Sequence, residues 1–272
     1  MSVGVSLKRF VSLAIGSVDY AKWNSLEITR LRLTLPNLPR AFDGLTLVQV
    51  SDLHMGEWMT LSRMQYVADQ VNALHPDVIA LTGDFVGALR ADTPSELSRS
   101  LRILRAREGI FGVLGNHDHY THAPTVRRAI RNAGNVRLLS NENALVERDG
   151  QRLYIAGLDD IERKQHDLPQ ALEGIPHGAA VILLAHEPDY ADEVAKTRRV
   201  GLQLSGHTHG GQVRVPGIGA PVLPILGRKY PMGLYVVDDL LLYVNRGVGM
   251  VSLYLRVNCR PEITHITLTS AS

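Results

Sequence analysis

Asp52, His54, Asp84, Asn116, His186, His207 and His209 combine carboxylate, amide and imidazole donors, with no sulfur among them. Oxygen and imidazole nitrogen suit divalent Mn, Fe or Zn better than a thiolate-preferring copper or iron–sulfur site. Seven donors exceed what a single tetrahedral zinc accepts. Two ions sharing a bridging carboxylate would use them all. A metal pair about 3.5–4 Å apart can clamp a phosphoryl group and activate water. The expected cofactors are therefore two divalent ions, with Mn, Fe and Zn left open. The lone cysteine, Cys259, leaves no intramolecular disulfide and no cysteine-rich zinc site.

The elements that must position these donors are visible as short aliphatic or β-branched runs. Leu45–Val50 leads into Ser51-Asp52-Leu53-His54, Val78–Leu81 into Thr82-Gly83-Asp84, and Ile110–Leu114 into Gly115-Asn116-His117-Asp118. Leu153–Ala156 leads into Gly157-Leu158-Asp159-Asp160, Val181–Ala185 into His186-Glu187-Pro188, and Val200–Leu204 into Ser205-Gly206-His207-Thr208-His209. Apolar runs bounded by turn residues predict strands buried on both faces. Between them, Leu61, Met64, Val67, Val71 and Leu74 share one helical face, as do Leu97, Leu101 and Leu104 behind a Pro94-Ser95 start. Leu234–Val237 and Leu241–Val244 around Asp238-Asp239 predict a hairpin, and Ile263–Leu268 a final strand. The alternation predicts an α/β fold of two packed mixed β-sheets flanked by helices. Ligand sites in such sheets form beyond the carboxyl ends of strands, which is where every motif above falls.

The chain has 272 residues and 45% hydrophobic content, enough for one large domain with a substantial core. A net charge of +2 implies no global polyanion-binding surface. The N-terminal apolar run Phe10–Ile15 is too short to span a bilayer, which takes about 20 apolar residues, and no secretory cleavage site follows it. Across residues 1–40, Lys8, Arg9, Lys22, Arg30, Arg32 and Arg40 outnumber Asp19 and Glu27. With Phe10, Val11, Leu13, Ile15 and Trp23 interspersed, this basic segment suits an anionic membrane surface. A strand and helix packed on the domain is an equally weighted alternative. The expected organisation is a basic N-terminal segment over residues 1–40 and a catalytic domain over 41–272. The expected location is cytoplasmic, with peripheral contact at the inner face of the membrane.

Asp52-Leu53-His54, Gly83-Asp84, Gly115-Asn116-His117-Asp118, His186 and Gly206-His207-Thr208-His209 together resemble the five-motif signature of calcineurin-like metallophosphoesterases, in the family's order. Ala185-His186-Glu187-Pro188-Asp189, the run SGHTHGGQ at 205–212, Arg246-Gly247-Val248-Gly249 and Asn258-Cys259-Arg260-Pro261-Glu262-Ile263 narrow this further. They resemble the YkuE/YaeI-like branch, which includes LpxG-type UDP-2,3-diacylglucosamine pyrophosphatases of the lipid A pathway. The resemblance covers the chain from about Leu26.

The resemblance implies a four-layer sandwich and a phosphodiester or pyrophosphate hydrolase acting through metal-bound hydroxide, without a covalent protein intermediate. Asp52, His54 and His209 would hold one metal and Asn116, His186 and His207 the other, with Asp84 bridging. His117 would protonate the leaving oxygen or steady the transition state, and Asp118 would orient His117. The implied substrate is a small-molecule or lipid-linked phosphate. A nuclease of the same superfamily is the competing reading, disfavoured because no strongly basic domain or aromatic–basic interleaving is present. A non-catalytic scaffold is the third, disfavoured because His117 and every ligand position are retained. Val213–Met232, rich in Pro, Gly, Ile, Leu and Val, is read as an apolar wall for a lipid or nucleoside moiety. Arg246 is read either as a phosphate contact or as part of a surface ion pair, and Cys259 as a small buried apolar residue.

Overall fold

A computed structural model describes residues 26–271. The run Phe10–Trp23, on which membrane contact was expected, lies outside them. The described strands are β1 (Glu27–Leu35), β2 (Thr46–Val50), β3 (Val78–Thr82), β4 (Gly109–Val113), β5 (Val136–Leu138) and β6 (Glu142–Arg148). They continue as β7 (Gln151–Gly157), β8 (Ala180–Leu184), β9 (Leu202–Ser205), β10 (Gly233–Val237), β11 (Leu240–Val244) and β12 (Glu262–Ser270). The α-helices are α1 (Leu61–Ala73), α2 (Thr93–Arg102), α3 (Asn116–Thr121), α4 (Ala123–Ala133), α5 (Leu168–Ala171) and α6 (Ala191–Lys196).

The strands form two six-stranded mixed sheets, in the orders β1-β12-β2-β3-β4-β5 and β10-β11-β9-β8-β7-β6. In the first sheet β2, β3, β4 and β5 run parallel, and β12 is antiparallel to β2. In the second, β7, β8, β9 and β11 are parallel, with antiparallel β6 and β10 at the two edges. Alternate residues of each strand face opposite layers. Leu47, Val78, Ala80 and Val113 meet Ile155, Ile182, Leu184 and Leu204 between the sheets. Val48, Val50, Ile79 and Leu81 pack outward on Met64, Val67, Leu97, Leu101, Val126 and Ile130 of α1, α2 and α4. Ala156, Val181 and Leu183 pack on Leu168, Ala171 and Val194 of α5 and α6. Helix, sheet, sheet and helix thus stack as four layers, as the strand-and-helix alternation predicted.

Three edge strands and one helix were not resolved by the sequence patterns. β1, drawn from the basic N-terminal segment, pairs in parallel with β12 from Glu27↔Glu262 to Leu35↔Ser270, so residues 27–35 belong to the first sheet. β5 and β6 are edge strands with mixed burial, and their patterns lack the continuous apolar runs of the central strands. α4 does carry a helical signal. Val126, Ala129, Ile130 and Ala133 are its buried face, with proline in its first turn and left-handed Gly134 (φ 82°) ending it. Among the described residues, no helix is long and apolar enough to cross a membrane.

The two sheets are tied together by a polar side chain at the level where the motifs begin. Gln49 on β2, fully buried, donates through Nε2 to Ser205 O at 2.9 Å and Thr82 Oγ1 at 3.0 Å. A buried amide with defined partners fixes the relative register of the layers that carry the site.

Candidate metal centre

The segments leaving β2, β3 and β4 in one sheet and β8 and β9 in the other converge at one end of the sandwich. Asp52 (φ 55°), His54 (49°), Asp84 (54°), His207 (70°) and His209 (51°) all lie in the left-handed region, which non-glycine residues seldom occupy. Such strain persists only where surrounding contacts over-determine it, and it clusters at functional sites.

The motif glycines show what supplies those contacts. A Cβ on Gly83 (φ 96°) would lie 2.5 Å from His186 Nδ1. One on Gly115 would lie 2.4 Å from Asp84 Oδ1, and one on Gly206 would lie 1.9 Å from Ser51 Oγ and 2.4 Å from Asp52 Oδ2. Each glycine is therefore where a donor of a neighbouring motif passes against the backbone.

One oxygen of ligating type from each of Asp52 and Asp84, and one nitrogen from each of His54 and His209, lie within 4.8 Å of one another, all buried. His209 Nε2 is 3.3 Å from Asp52 Oδ1, and His54 Nε2 is 3.5 Å from Asp84 Oδ2. The same Asp84 Oδ2 lies 3.2 Å from His186 Nε2. On that side, His207 Nδ1 is 3.0 Å from Asn116 Oδ1, and the His186 and His207 rings are 5.0 Å apart. Asp84 Oδ2 thus lies against a ring from each side, His54 on one and His186 on the other.

The tautomers can be read from the outer partners. The His186 Nδ1–H donates to Thr82 O at 2.6 Å, which turns Nε2 inward. The His207 Nε2–H donates to Ile225 O at 2.7 Å, which leaves Nδ1 as a lone pair facing Asn116 Oδ1. His54 Nε2 and His209 Nε2 face each other at 3.0 Å. The His207 Nδ1 lone pair and the Asn116 carbonyl oxygen are thus two buried acceptors facing each other, which is costly without a cation between them. The donor set is free of sulfur and fits divalent ions. Asp52, His54, Asp84 and His209 could hold one, and Asn116, His186 and His207 could hold another beside Asp84.

Electrostatics prepare most of these groups. Burial lowers the His54 and His207 pKa values to about 3 and about 4, and lowers His209 well below its ordinary value. Their lone pairs are therefore free at neutral pH. Burial also acts to lower His186, but the adjacent Asp84 charge and its hydrogen bond outweigh it and raise this ring well above its ordinary value. Burial would raise Asp84, yet the His186 charge holds it well below the carboxylate range. Burial pushes Asp52 up to about 6.

His117 stands apart from the donors. Its backbone N–H donates to Asp84 Oδ1 at 2.9 Å, and its half-buried ring meets the His54 ring edge-on at 4.8 Å, lining the open cleft. Asp118 was expected to orient His117, but its carboxylate is directed elsewhere. Oδ2 accepts from Gly115 N and Oδ1 from Val86 N, both at 3.0 Å. As the third residue of α3 it caps the helix, and it ties the Asn116 turn to the segment after Asp84. Burial, then the nearby Asp84 charge, push its pKa up to about 7.

Arg246 is not free for phosphate: its Nε pairs with Glu262 Oε2 at 2.8 Å and its Nη2 with Glu27 at 3.2 Å, in a partly buried rather than a surface pair. Asp159 pairs with His119 and Arg127, and Asp160 accepts from the Arg163 amide, so neither is directed at the donors. Cys259 is buried, and its thiol also donates to His209 O at 3.2 Å. A cavity of about 420 Å³ opens beside the donors. Asp84, Asn116, His117, His207 and His209 line it together with Val213, Pro221–Pro224 and Val251–Leu253. Leu223 belongs to this wall, while Ile218 and Ile225 are 77% and 62% exposed outside it. The contribution of residues 251–253 was missed because nothing local in that stretch signals proximity to Val213.

A four-layer α/β sandwich with buried aspartates and histidines gathered at its strand ends defines a metallophosphoesterase. Residues 45–211 match the calcineurin-like phosphoesterase family, and the chain belongs to it. It is 36% identical to the metallophosphoesterase YkuE of Bacillus subtilis, over 94% of this chain and 91% of that protein. It is 31% identical to the phosphodiesterase YaeI of Escherichia coli, covering 94% and 93% of the two chains. It is also 28% identical to the UDP-2,3-diacylglucosamine pyrophosphatase LpxG of Chlamydia trachomatis, covering 92% and 93%. As in that family, the chain is a phosphoester hydrolase with an aspartate–histidine metal-binding group.

Proposed function

We propose that this hydrolase uses two divalent ions to cleave a phosphodiester or pyrophosphate bond in a substrate with an apolar moiety, lipid-linked in the first instance. The observation that carries the reading is that the donors and a set of apolar side chains line one and the same cavity. Sites of about 300–1,000 Å³ with apolar walls and a few convergent polar groups suit small-molecule ligands. Bound ions would supply Lewis acidity and a lowered pKa for coordinated water.

The residues of the chain supply the rest. Asp52, His54 and His209 would hold one ion and Asn116, His186 and His207 the other, with Asp84, whose Oδ2 is within 3.5 Å of His54 and His186 nitrogens, serving both groups. His117, in the cleft but outside the donor set, gives a proton to the departing oxygen. Asp118 keeps the turn carrying Asn116 and His117 rigid through its two amide bonds. Val213, Pro221–Pro224 and Leu253 exclude water and seat the apolar part of the substrate.

A lipid-linked substrate also accounts for the character of the surface around the cavity. Ile218, Val222, Ile225 and Tyr254 are exposed on the bordering loops. No aspartate or glutamate falls between Glu193 and Asp238, or between Asp239 and Glu262. An apolar rim on loops that carry no carboxylate suits a lipid surface, and supports peripheral contact at the cytoplasmic face of a membrane. The test is a hydrolysis screen with added Mn²⁺ comparing UDP-2,3-diacylglucosamine, glycerophosphodiesters, cyclic nucleotides and single-stranded DNA. Preferential cleavage of the lipid-linked diphosphate is expected. Preference for single-stranded DNA would replace this reading with that of a nuclease.

A further inference from the structure

Arg256 is 9% exposed and is not among the residues that line the cavity beside the donors. Its Nη2 donates to three main-chain carbonyls: Arg246 O at 2.7 Å, Gly247 O at 3.0 Å and Gly249 O at 2.7 Å. Its Nη1 reaches His209 O at 3.4 Å, the same carbonyl that receives the Cys259 thiol. A buried guanidinium held by carbonyls is unusual, because burial of such a charge is costly unless its geometry is well satisfied.

The loop that Arg256 gathers is the one that supports Asp52. Val248 N donates to Ser51 O at 3.0 Å, and Gly249 N to Asp52 O at 2.8 Å. A Cβ on Gly247 would lie 2.7 Å from Asp52 Cβ, and one on Gly249 would lie 2.5 Å from Asp52 O. The loop therefore presses directly on the Asp52 backbone. Asp52 and His209 are both left-handed residues, at φ 55° and 51°, and their side chains meet at 3.3 Å. One planar cation thus restrains the backbone beneath two donors that come from opposite sheets. Lysine could not reproduce this, since a single ammonium lacks the guanidinium's fixed fork.

We propose that Arg256 is a positioning residue that sets Asp52 and His209 for their ion, acting through the 246–249 loop and the His209 carbonyl. The inference rests on the metal centre proposed above. Its test is calorimetric Mn²⁺ binding, which needs no substrate: an inactive parent that binds Mn²⁺ would defeat the proposed reaction and leave this inference standing.

In Arg256→Met, the Kd of the ion held by Asp52, His54 and His209 should rise about 10–100-fold, in line with losses of supporting partners at metal sites. The Kd of the other ion should stay unchanged. At saturating Mn²⁺, KM for bis-p-nitrophenyl phosphate should equal that of the parent. Arg256→Lys should fall between parent and Arg256→Met in Mn²⁺ affinity. Unchanged Mn²⁺ affinity in Arg256→Met would overturn the inference, as would a changed KM with intact metal binding. Failure of both variants to fold, by circular dichroism, would overturn it too, by making Arg256 a residue of the fold rather than of the site.

Discussion

Gly115→Ala isolates the effect of one methyl group on the metal centre. Gly115 has φ −116° and ψ 177°, an extended conformation open to any residue, so alanine costs nothing in backbone conformation. The cost is steric. The new Cβ would lie 2.4 Å from Asp84 Oδ1, 2.7 Å from Asp84 N and 2.8 Å from His186 Cδ2. Asp84 Oδ1 would have to retreat by about 1 Å to reach the 3.4 Å of ordinary contact. Two of the three atoms met belong to Asp84, whose Oδ2 lies between the two donor groups, and the third to the His186 ring. Metal sites depend on ligand distances held to within about 0.2 Å, so the shift exceeds their tolerance several-fold. Overpacking should cost about 1–3 kcal/mol of stability, and Mn²⁺ affinity should fall about 10–100-fold or more. Calorimetric Mn²⁺ titration beside thermal denaturation followed by circular dichroism reads both effects. Gly134→Ala is the control: at φ 82° with nothing within 4 Å, it should cost about 1 kcal/mol through backbone strain alone and leave Mn²⁺ affinity unchanged. A Gly115→Ala protein that binds Mn²⁺ like the parent would refute the close-approach reasoning.

Three further outcomes are expected. His117→Ala should keep both Mn²⁺ affinities while kcat for bis-p-nitrophenyl phosphate falls about 10²–10⁴-fold; parental kcat would remove His117 from the reaction. Leu223→Ser with Leu253→Ser should raise KM for UDP-2,3-diacylglucosamine more than for bis-p-nitrophenyl phosphate, and equal effects on both would deny the apolar wall its role. Mn²⁺ affinity should rise with pH between 6 and 8 by up to about tenfold per unit, because His186, raised above its ordinary value by Asp84, must lose a proton to become a ligand. The sign is particular to this ring: its raised value contributes stability to the metal-free fold that is complete below about pH 6.5 and lost as pH rises through the raised value. His54 and His207, depressed to about 3 and about 4, are already neutral and add no dependence in that window, while Asp52, pushed up to about 6 by burial, adds to it only at the lower end, so the rise from pH 7 to 8 belongs to His186. A pH-independent Kd from 6 to 8 would contradict the His186–Asp84 pairing.

The legibility of this chain follows from where its strands sit. β2, β3, β4, β7, β8 and β9 are interior strands, so both faces must be apolar, and the switch to Asp, His and Asn marks each carboxyl end without ambiguity. Edge strands β5 and β6 bury less and so carry weaker patterns. β1 was harder still: Arg30 and Arg32 alternate with Leu31 and Leu33 because one side of that edge strand meets solvent, and the same arginines read as a basic segment. The donors themselves were legible because chemistry dictates residue type. Their supports were not, because main-chain partners leave no side-chain signature. Thr82 O, Ile225 O and the Gly115 and Val86 amides could be any residue's. Arg256 and the 246–249 loop stand 37 or more residues beyond His209 in the chain, and only the fold brings them beneath it. Asp118 illustrates the same limit: its adjacency to His117 suggested a side-chain pair, whereas helix-capping geometry turns its carboxylate to the main chain.

Mn²⁺ stoichiometry measured together with hydrolysis of bis-p-nitrophenyl phosphate, in the parent and in Asp84→Asn, tests the central claim most directly. Two Mn²⁺ per chain in the parent, with Mn²⁺-dependent hydrolysis lost when Asp84 no longer offers a charged oxygen to both ions, is the predicted result. A single bound ion, or hydrolysis indifferent to Mn²⁺ and to Asp84, would contradict it.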